Sequence, residues 1–204
     1  MLLPEGVLVD GLTGTVTPET GRYTKRLSEL KGIFHDTSAY DRAIAERDNP
    51  VVYEVIDYRK KDSDLCFGTT IMSPGKIGLE YYMTRGHFHE RRDCSEIYYT
   101  QSGEGLLLLE SRDGETRTVS MRRDICAFIP PDWAHRSINT GHEKLVFVWF
   151  CATDAGHDYG KILERGMRKL ILEQNDMVTI ADNPNFKERS NGLMSRPLVS
   201  WSSI

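Results

Sequence analysis

The sequence predicts an all-β protein, an antiparallel sandwich or closed barrel with an N-terminal arm and a few short peripheral helices. Short apolar or alternating runs fill the middle of the chain, and Gly, Pro and Asp separate them. Asp113-Gly114 is typical of a tight hairpin between two of these runs. The runs are residues 51–58, 65–72, 80–88, 96–101, 105–110, 115–120, 125–129, 135–139 and 145–151.

Residues 1–50 are expected to form an arm and a helical segment that pack on the barrel. Residues 1–23 are rich in Gly, Thr and Pro around short apolar fragments, which predicts an extended arm. Because an arm cannot bury itself, we expect it to lie on a partner surface in a homodimer. One helical turn is expected at residues 28–32. Thr37 or Ser38 is expected to cap a helix over residues 39–48.

The barrel is expected to occupy residues 51–185, including a peripheral helix and a hairpin after the last core strand. Asp158 can cap a short helix that Gly166 ends. Two apolar stretches, residues 170–172 and 178–180, predict the hairpin. The chain then turns polar, and residues 186–204 are expected to form a C-terminal tail.

Composition excludes several classes of function. The 204 residues carry a formal net charge of -4 with scattered Lys and Arg, so no nucleic-acid partner is expected. The four cysteines form no Cys-x-x-Cys pair, which predicts reduced and mostly buried thiols. The chain has no run of about 18 apolar residues and no leader-like N-terminus, so we expect no membrane partner and a cytoplasmic location.

Three histidines and one glutamate form a candidate metal site. Side chains alternate along an extended strand, so His87 and His89 project to one face, about 7 Å apart. Glu96 begins the next strand and His135 opens a later one, and a closed barrel would bring all four side chains together inside it. Imidazole nitrogen and carboxylate oxygen suit first-row divalent ions. The alternative is a half-buried strand whose histidines merely face polar neighbours.

Two segments resemble the sequence motifs of the cupins. Residues 87–103 resemble the first motif, except that six residues separate its second histidine from its glutamate, where many cupins have three or four. Residues 130–139 resemble the second motif, and Asp124 and Asp132 stand where that motif usually has glycine. Because Asp tolerates turn conformations, the resemblance still implies a cupin β-barrel of the jelly-roll type. The matching positions are His87, His89, Glu96, Gly103, Pro130, Asp132, His135 and Asn139.

Five longer strings resemble the cupin-type phosphoglucose isomerases first known from archaea. The similarity covers roughly residues 20–185, in order and with few gaps. It implies a homodimeric enzyme of glycolysis and gluconeogenesis that interconverts glucose 6-phosphate and fructose 6-phosphate. The strings are residues 50–55, 74–76, 84–89, 130–136 and 154–160.

The resemblance also implies roles for individual residues. One divalent metal ion per subunit, with Fe²⁺ expected first and Mn²⁺, Ni²⁺ or Zn²⁺ as alternatives, would be bound by His87, His89, Glu96 and His135. The phosphoryl group would be held by Thr70, Thr84 and Gly86. The sugar would be lined by Tyr53, Tyr98, His157 and Tyr159. A tyrosine of the archaeal phosphate site aligns with Cys151, and Arg85 is expected to compensate for its loss.

The expected catalytic residues are Glu96, His135, His157 and Tyr159. Isomerisation moves hydrogen between C1 and C2 while charge develops on the adjacent oxygens, which a metal ion stabilises. Glu96 is the expected general base, and a direct hydride shift is the rival mechanism. Helix capping is the alternative for His157, and ordinary core or rim packing is the alternative for the tyrosines. Two other functions stay open, a metal-dependent cupin oxygenase and a non-catalytic sugar-phosphate-binding cupin.

Overall fold

The computed structural model describes residues 3–187, and within them the chain is built mainly from antiparallel strands. The strands are β1 (Leu8–Val9), β2 (Val16–Thr17), β3 (Gly21–Arg26), β4 (Val51–Tyr58), β5 (Leu65–Met72), β6 (Lys76–Ile77), β7 (Glu80–Tyr81), β8 (Glu96–Ser102), β9 (Glu104–Ser111), β10 (Thr116–Arg122), β11 (Cys126–Ile129), β12 (Trp133–Asn139), β13 (Leu145–Ala152), β14 (Lys169–Gln174) and β15 (Met177–Asp182). The helical elements are a 3-10 turn (Leu27–Leu30), α1 (Thr37–Glu46) and α2 (Gly160–Arg165).

Two antiparallel sheets form the barrel and enclose one apolar core. The larger sheet has the strand order β11-β8-β13-β5-β4-β3, and the smaller has the order β10-β9-β12. Leu107 and Leu109 of the smaller sheet and Phe147 of the larger are at most 3% exposed and belong to the same core. The all-β prediction is therefore confirmed, and the two sheets give the cupin architecture.

The expected strand over residues 80–88 is wrong in extent. Regular pairing stops at Tyr81, and isolated bridges continue it along β12. The N–H of His87 donates to the carbonyl of His135 at 3.3 Å, and the reverse bond is 3.1 Å long. Gly86 interrupts the ladder, because its φ of 76° lies outside strand geometry. Residues 82–88, the bridged segment, are thus joined to β12 by separate bridges and hydrogen bonds rather than by a regular ladder.

The N-terminal arm packs on its own sheet, so the expectation that it needs a partner surface is wrong. β3 pairs with β4, and Val16 packs with Ile56, Ile71 and Val146 on the outer face of the larger sheet. Gly14 has a φ of 74°, and a Cβ there would lie 2.5 Å from Cγ1 of Ile71. Only glycine therefore permits this approach of the arm. The homodimer stays a prediction.

Both expected helices are present, but neither has the expected residue as its N-cap. Asp36, and not Thr37 or Ser38, is the N-cap of α1, where its carboxylate accepts the N–H of Ala39 at 2.8 Å. Gly166 ends α2 with a φ of 75°, as expected. β14 and β15 form the expected hairpin.

The remaining expectations concern the chain ends and the membrane. Within residues 3–187, no helix is long and apolar enough to cross a bilayer. The expected tail, residues 186–204, lies outside the described residues except for its first two. The divisions of the chain after residues 50 and 185 stay predictions.

Candidate metal and substrate site

The four candidate metal ligands meet inside the barrel. His87 and His89 lie on the segment after β7, Glu96 is the first residue of β8, and His135 is the third residue of β12. One potential ligand atom from each of the four lies within 4.8 Å of all the others. His89, Glu96 and His135 are 6%, 5% and 1% exposed. The expected convergence of these side chains is present, although His135 lies inside its strand rather than at its start.

The hydrogen bonds of the imidazoles prepare them to bind a cation. Nδ1 of His89 donates to the carbonyl of Cys94, and Nδ1 of His135 donates to that of Trp133, both at 3.2 Å. These bonds place the proton on Nδ1 and leave the lone pair of Nε2 pointing inward. The Nε2 atoms lie 3.2 and 2.9 Å from Oε2 of Glu96. A divalent metal ion therefore fits this donor set.

His87, the remaining candidate ligand, independently indicates that a metal ion fits this site. Nε2 of His87 is buried and has no hydrogen-bond partner among residues 3–187. A buried polar nitrogen without a partner costs free energy, and a metal ion at this point would remove that cost. The ring of His87 lies 4.3 Å from that of His135, which keeps the two lone pairs close together.

Burial and the neighbouring imidazoles control the charge of the site. Burial lowers the pKa of His87 well below its ordinary value, and three nearby histidines lower it further. Burial by itself raises the pKa of Glu96, but the adjacent imidazoles of His135 and His89 outweigh it and lower the pKa to about 2. Burial by itself lowers the pKa of His89, but its hydrogen bond to Glu96 raises it overall. The carboxylate is thus ionised, and a proton on His89 competes with metal.

A pocket opens above the metal ligands and contains every residue predicted to contact substrate. Tyr53 and Thr70 come from the larger sheet, Thr84 and Gly86 come from the bridged segment, and the other predicted contact residues are Tyr98, His157 and Tyr159. His157 lies between the metal ligands and the rim, with its ring 4.3 Å from that of His87 and stacked 5.6 Å from that of Tyr159. The candidate metal ligands His87, Glu96 and His135 therefore share one cavity with the residues predicted to contact substrate.

The bridged segment is fastened to β12 at the point where phosphate contacts are predicted. The hydroxyl of Thr84 accepts the N–H of Ser137 at 3.0 Å, which leaves its own hydrogen available to a ligand. The guanidinium of Arg136 donates to the carbonyl of Arg85 at 2.7 Å. Burial lowers the pKa of Arg136 to about 10, against the raising effect of Glu80 and Glu110.

Five polar or aromatic residues of the pocket were not anticipated from the sequence, Tyr23, Asp57, Arg59, Phe147 and Trp149. Strand alternation indicated three of them, since Asp57 shares a face with Tyr53, and Phe147 and Trp149 share one with Cys151. Tyr23 pairs with Val55 across β3 and β4, and no sequence signal fixed that register. Arg59 follows β4 and adds a second arginine to the pocket beside Arg85.

Comparison with known proteins identifies the family. A family model described as Glucose-6-phosphate isomerase (GPI) matches residues 24–187. The chain is 44% identical over 186 residues to a glucose-6-phosphate isomerase of Thermococcus onnurineus, covering 90% of this chain and 97% of the relative. It is 40% identical over 187 residues to the enzyme of Pyrococcus furiosus, covering 91% and 98%.

Among solved structures, an oxalate oxidase matches with a TM-score of 0.47 and 14% identity, covering 56% of this chain and 58% of that one, and is too distant to inform the chemistry. The family model and both isomerase relatives span the whole segment that supplies His87, His89, Glu96 and His135. The chain belongs to the glucose-6-phosphate isomerase family.

Proposed function

We propose that the chain is a metal-dependent aldose-ketose isomerase that interconverts glucose 6-phosphate and fructose 6-phosphate. The observation that carries the proposal is the meeting of His87, His89, Glu96 and His135, with ligand atoms within 4.8 Å of one another. Three of them, His87, Glu96 and His135, line the pocket that Thr84 and Gly86 also line. Membership of the family supports the reaction. The donor set supports one divalent ion per subunit, with Fe²⁺ as first candidate and Mn²⁺, Ni²⁺ or Zn²⁺ as alternatives.

The phosphoryl group is proposed to bind at the end of the pocket away from the metal ligands. Thr70, Thr84 and Gly86 are its proposed contacts, and the hydroxyl hydrogen of Thr84 is available to donate. Arg85 and Arg59 contribute positive charge to the same cavity, which supports binding of a dianionic group at a site where Cys151 replaces the family tyrosine. The metal ligands would then face C1 and C2.

The sugar end of the pocket contains groups suited to ring opening and proton transfer. Burial lowers the pKa of His157, so its neutral imidazole can exchange a proton with the ring oxygen. Burial raises the pKa of Tyr53 to about 12, which keeps its hydroxyl protonated as a hydrogen-bond donor. Tyr98 is protonated for the same reason, and Tyr159 orients His157 by stacking.

Glu96 is the proposed general base that carries a proton between C2 and C1. A bound divalent cation supplies positive charge against the negative charge that develops on O1 and O2. Nε2 of His135 lies 2.9 Å from Oε2 of Glu96, so the packed imidazole restricts the direction of the carboxylate. The low pKa of Glu96 weakens it as a base, and the proximity of a bound substrate must offset that weakness.

The reaction is tested by a coupled assay in which glucose-6-phosphate dehydrogenase reports turnover of fructose 6-phosphate. Activity should disappear with a chelator and return with at least one divalent metal. Glu96→Gln should abolish turnover, whereas Glu115→Gln, which changes an exposed carboxylate on the far side of a hairpin, should leave it intact. Inactivity with every metal would overturn the proposal, and tight binding of fructose 6-phosphate without turnover would indicate a sensor.

Proton transfer and hydride shift are separated by a deuterium label at C2 of the substrate. A base that exchanges with water, as proposed for Glu96, releases part of the label during turnover. Mass spectrometry of the product at several extents of reaction measures this loss. Complete retention of deuterium throughout would count strongly against proton transfer through Glu96 and favour a hydride shift.

A homodimer is proposed on the basis of an apolar row across the outer face of the larger sheet. Phe128, Ile97 and Phe150 are cross-strand neighbours and are 61%, 39% and 45% exposed. Burial of this row against a second copy would remove it from water. Light scattering at micromolar concentration tests the dimer, and a monomeric mass would refute it. The proposed location is the cytoplasm, where free thiols such as those of this chain stay reduced.

A further inference from the structure

Two cysteines of neighbouring strands face each other in the barrel interior. Cys66 of β5 and Cys151 of β13 are direct partners in the ladder, and their Sγ atoms lie 3.6 Å apart. Directly opposite residues in antiparallel sheets have Cα atoms about 4.5 or 5.5 Å apart, and both spacings lie inside the range of about 4.4–6.8 Å that disulfides require. The two sulfurs can therefore bond through side-chain rotation with little movement of the backbone.

This dithiol forms part of the wall of the active-site pocket. Cys66, Cys151 and Glu96 are opposite one another on three successive strands, so they form one row that ends at a metal ligand. Phe150 is 45% exposed on the outer face, and the alternation of the strand therefore turns Cys151 inward. Cys151 is 9% exposed and lines the pocket. A small reagent that enters the pocket thus reaches a thiol without unfolding the barrel.

The surroundings of the pair favour a reactive thiolate. The hydrogen bond between the two thiols lowers the pKa of Cys66 to about 7, with help from the charge of Arg59 and against the effect of burial, and it raises the pKa of Cys151 together with burial. Cys66 is therefore the thiolate of the pair, 3.6 Å behind the sulfur that lines the pocket. Arg59 also lines the pocket, so its positive charge acts from the side by which a reagent enters. Thiolates rather than thiols attack peroxides, and a nearby cation favours them.

We propose that Cys66 and Cys151 form a redox modification site in which a hydroperoxide produces a reversible disulfide and thereby inactivates the enzyme. One thiolate attacks hydrogen peroxide, which breaks the O–O bond and gives a sulfenic acid and hydroxide. The second thiol then attacks the sulfenic sulfur, which forms the S–S bond and releases water. Two thiols are oxidised and one peroxide is reduced, and a dithiol such as dithiothreitol reverses the change. Only the loss of activity rests on the proposed function.

The expected loss of activity follows from the distance that the two sulfur atoms must move to form the disulfide. The Sγ atoms must close from 3.6 Å to the covalent distance of about 2.05 Å, a shift of about 1.5 Å shared between the two side chains. Cys151 lines the pocket directly opposite Glu96, so its rotation reshapes the pocket wall beside that carboxylate. A misplacement of about 1 Å in an active site can cost about a hundredfold in rate. We therefore expect oxidation to lower activity between tenfold and a hundredfold, in line with about 1.4–2.7 kcal/mol of lost transition-state stabilisation.

The first experiment reads the covalent change and needs no enzymatic activity. Full-length protein loaded with Zn²⁺, which has no redox chemistry of its own, is treated with hydrogen peroxide, digested and examined by mass spectrometry. A peptide pair joined through Cys66 and Cys151 is expected, and dithiothreitol should separate it. Cys126→Ala, which removes an exposed thiol, should keep the cross-link, whereas Cys66→Ala should lose it. Absence of the cross-link in the unaltered chain would overturn the site.

The second experiment measures isomerase activity after catalase has removed the peroxide and Mn²⁺ has been supplied. The unaltered chain should lose activity and regain it with dithiothreitol, whereas Cys66→Ala, and Cys66→Ser as a second variant, should resist the treatment. A cross-link without loss of activity, or equal losses in both chains, would overturn the inactivation. If the untreated chain has no isomerase activity with any metal, the proposed function fails while the cross-link still decides the modification site.

Discussion

Gly86→Ala tests whether the bridged segment positions the phosphate contacts. The residue has a φ of 76°, and a Cβ would lie 3.2 Å from Cβ of Arg136 and 3.3 Å from the carbonyl oxygen of His135. A left-handed conformation costs an alanine about 1–2 kcal/mol. Favourable contacts between carbon atoms lie at about 3.5–4.0 Å, so the segment must also retreat from β12 by about half an ångström. Thr84 and His87 move with it.

Gly32→Ala is the matched control. Its φ is 82°, and an added Cβ would meet nothing within 4 Å, so it incurs only the backbone cost. Urea denaturation should show a loss of about 1–2 kcal/mol in Gly32→Ala and a larger loss in Gly86→Ala, which also bears the close contacts with β12. Only Gly86→Ala should also lower kcat/KM for fructose 6-phosphate, by about tenfold, because its contacts are displaced. Unchanged kcat/KM in Gly86→Ala, with a confirmed loss of stability, would refute the positioning role.

Three further predictions concern separate parts of the molecule. Thr84→Val should raise KM about tenfold with metal content unchanged, since it removes one hydrogen bond to the phosphoryl group. His89→Ala should lose bound metal and turnover together. Metal analysis and kinetics distinguish the two variants, and identical phenotypes would contradict separate roles in substrate binding and metal binding. Affinity for Zn²⁺ should fall as the pH drops through the raised pKa of His89, because protons then compete for its nitrogen. Calorimetry measures this affinity, and an affinity that does not change from pH 8 to 5 would contradict the prediction. In light scattering, Phe128→Asp should dissociate the dimer, whereas Leu163→Asp, also on an exposed apolar residue, should not.

The barrel and the positions of its candidate metal ligands could be predicted because local sequence patterns determine both. Alternation placed His87 and His89 on one side, and the short runs separated by turn residues located most core strands. Asp124 and Asp132 have φ values of 69° and 65°, so each adopts the conformation for which the cupin motif uses glycine. Sequence reasoning therefore explained correctly why these departures leave the fold intact.

The errors arise where long-range contacts override local pattern. Residues 80–88 alternate like a strand, yet the positive φ of Gly86 breaks the ladder, and isolated bridges replace it. The arm looked unable to bury itself because its partner surface, which includes Ile71 and Val146, lies far away in the sequence. Tyr23 enters the pocket only through the register of β3 on β4, and register is a property of the assembled sheet.

The place of β13 in the larger sheet constrains how the chain can fold as it is synthesised. β13 lies between β8 and β5, yet it is the last strand of either barrel sheet to leave the ribosome. All four candidate metal ligands have been made by residue 135, but β5 and β8 have unpaired facing edges until residue 152 has emerged. Unpaired edges invite incorrect pairing, and such long-range closure is slow. A strand without a metal ligand therefore determines when the metal site can form.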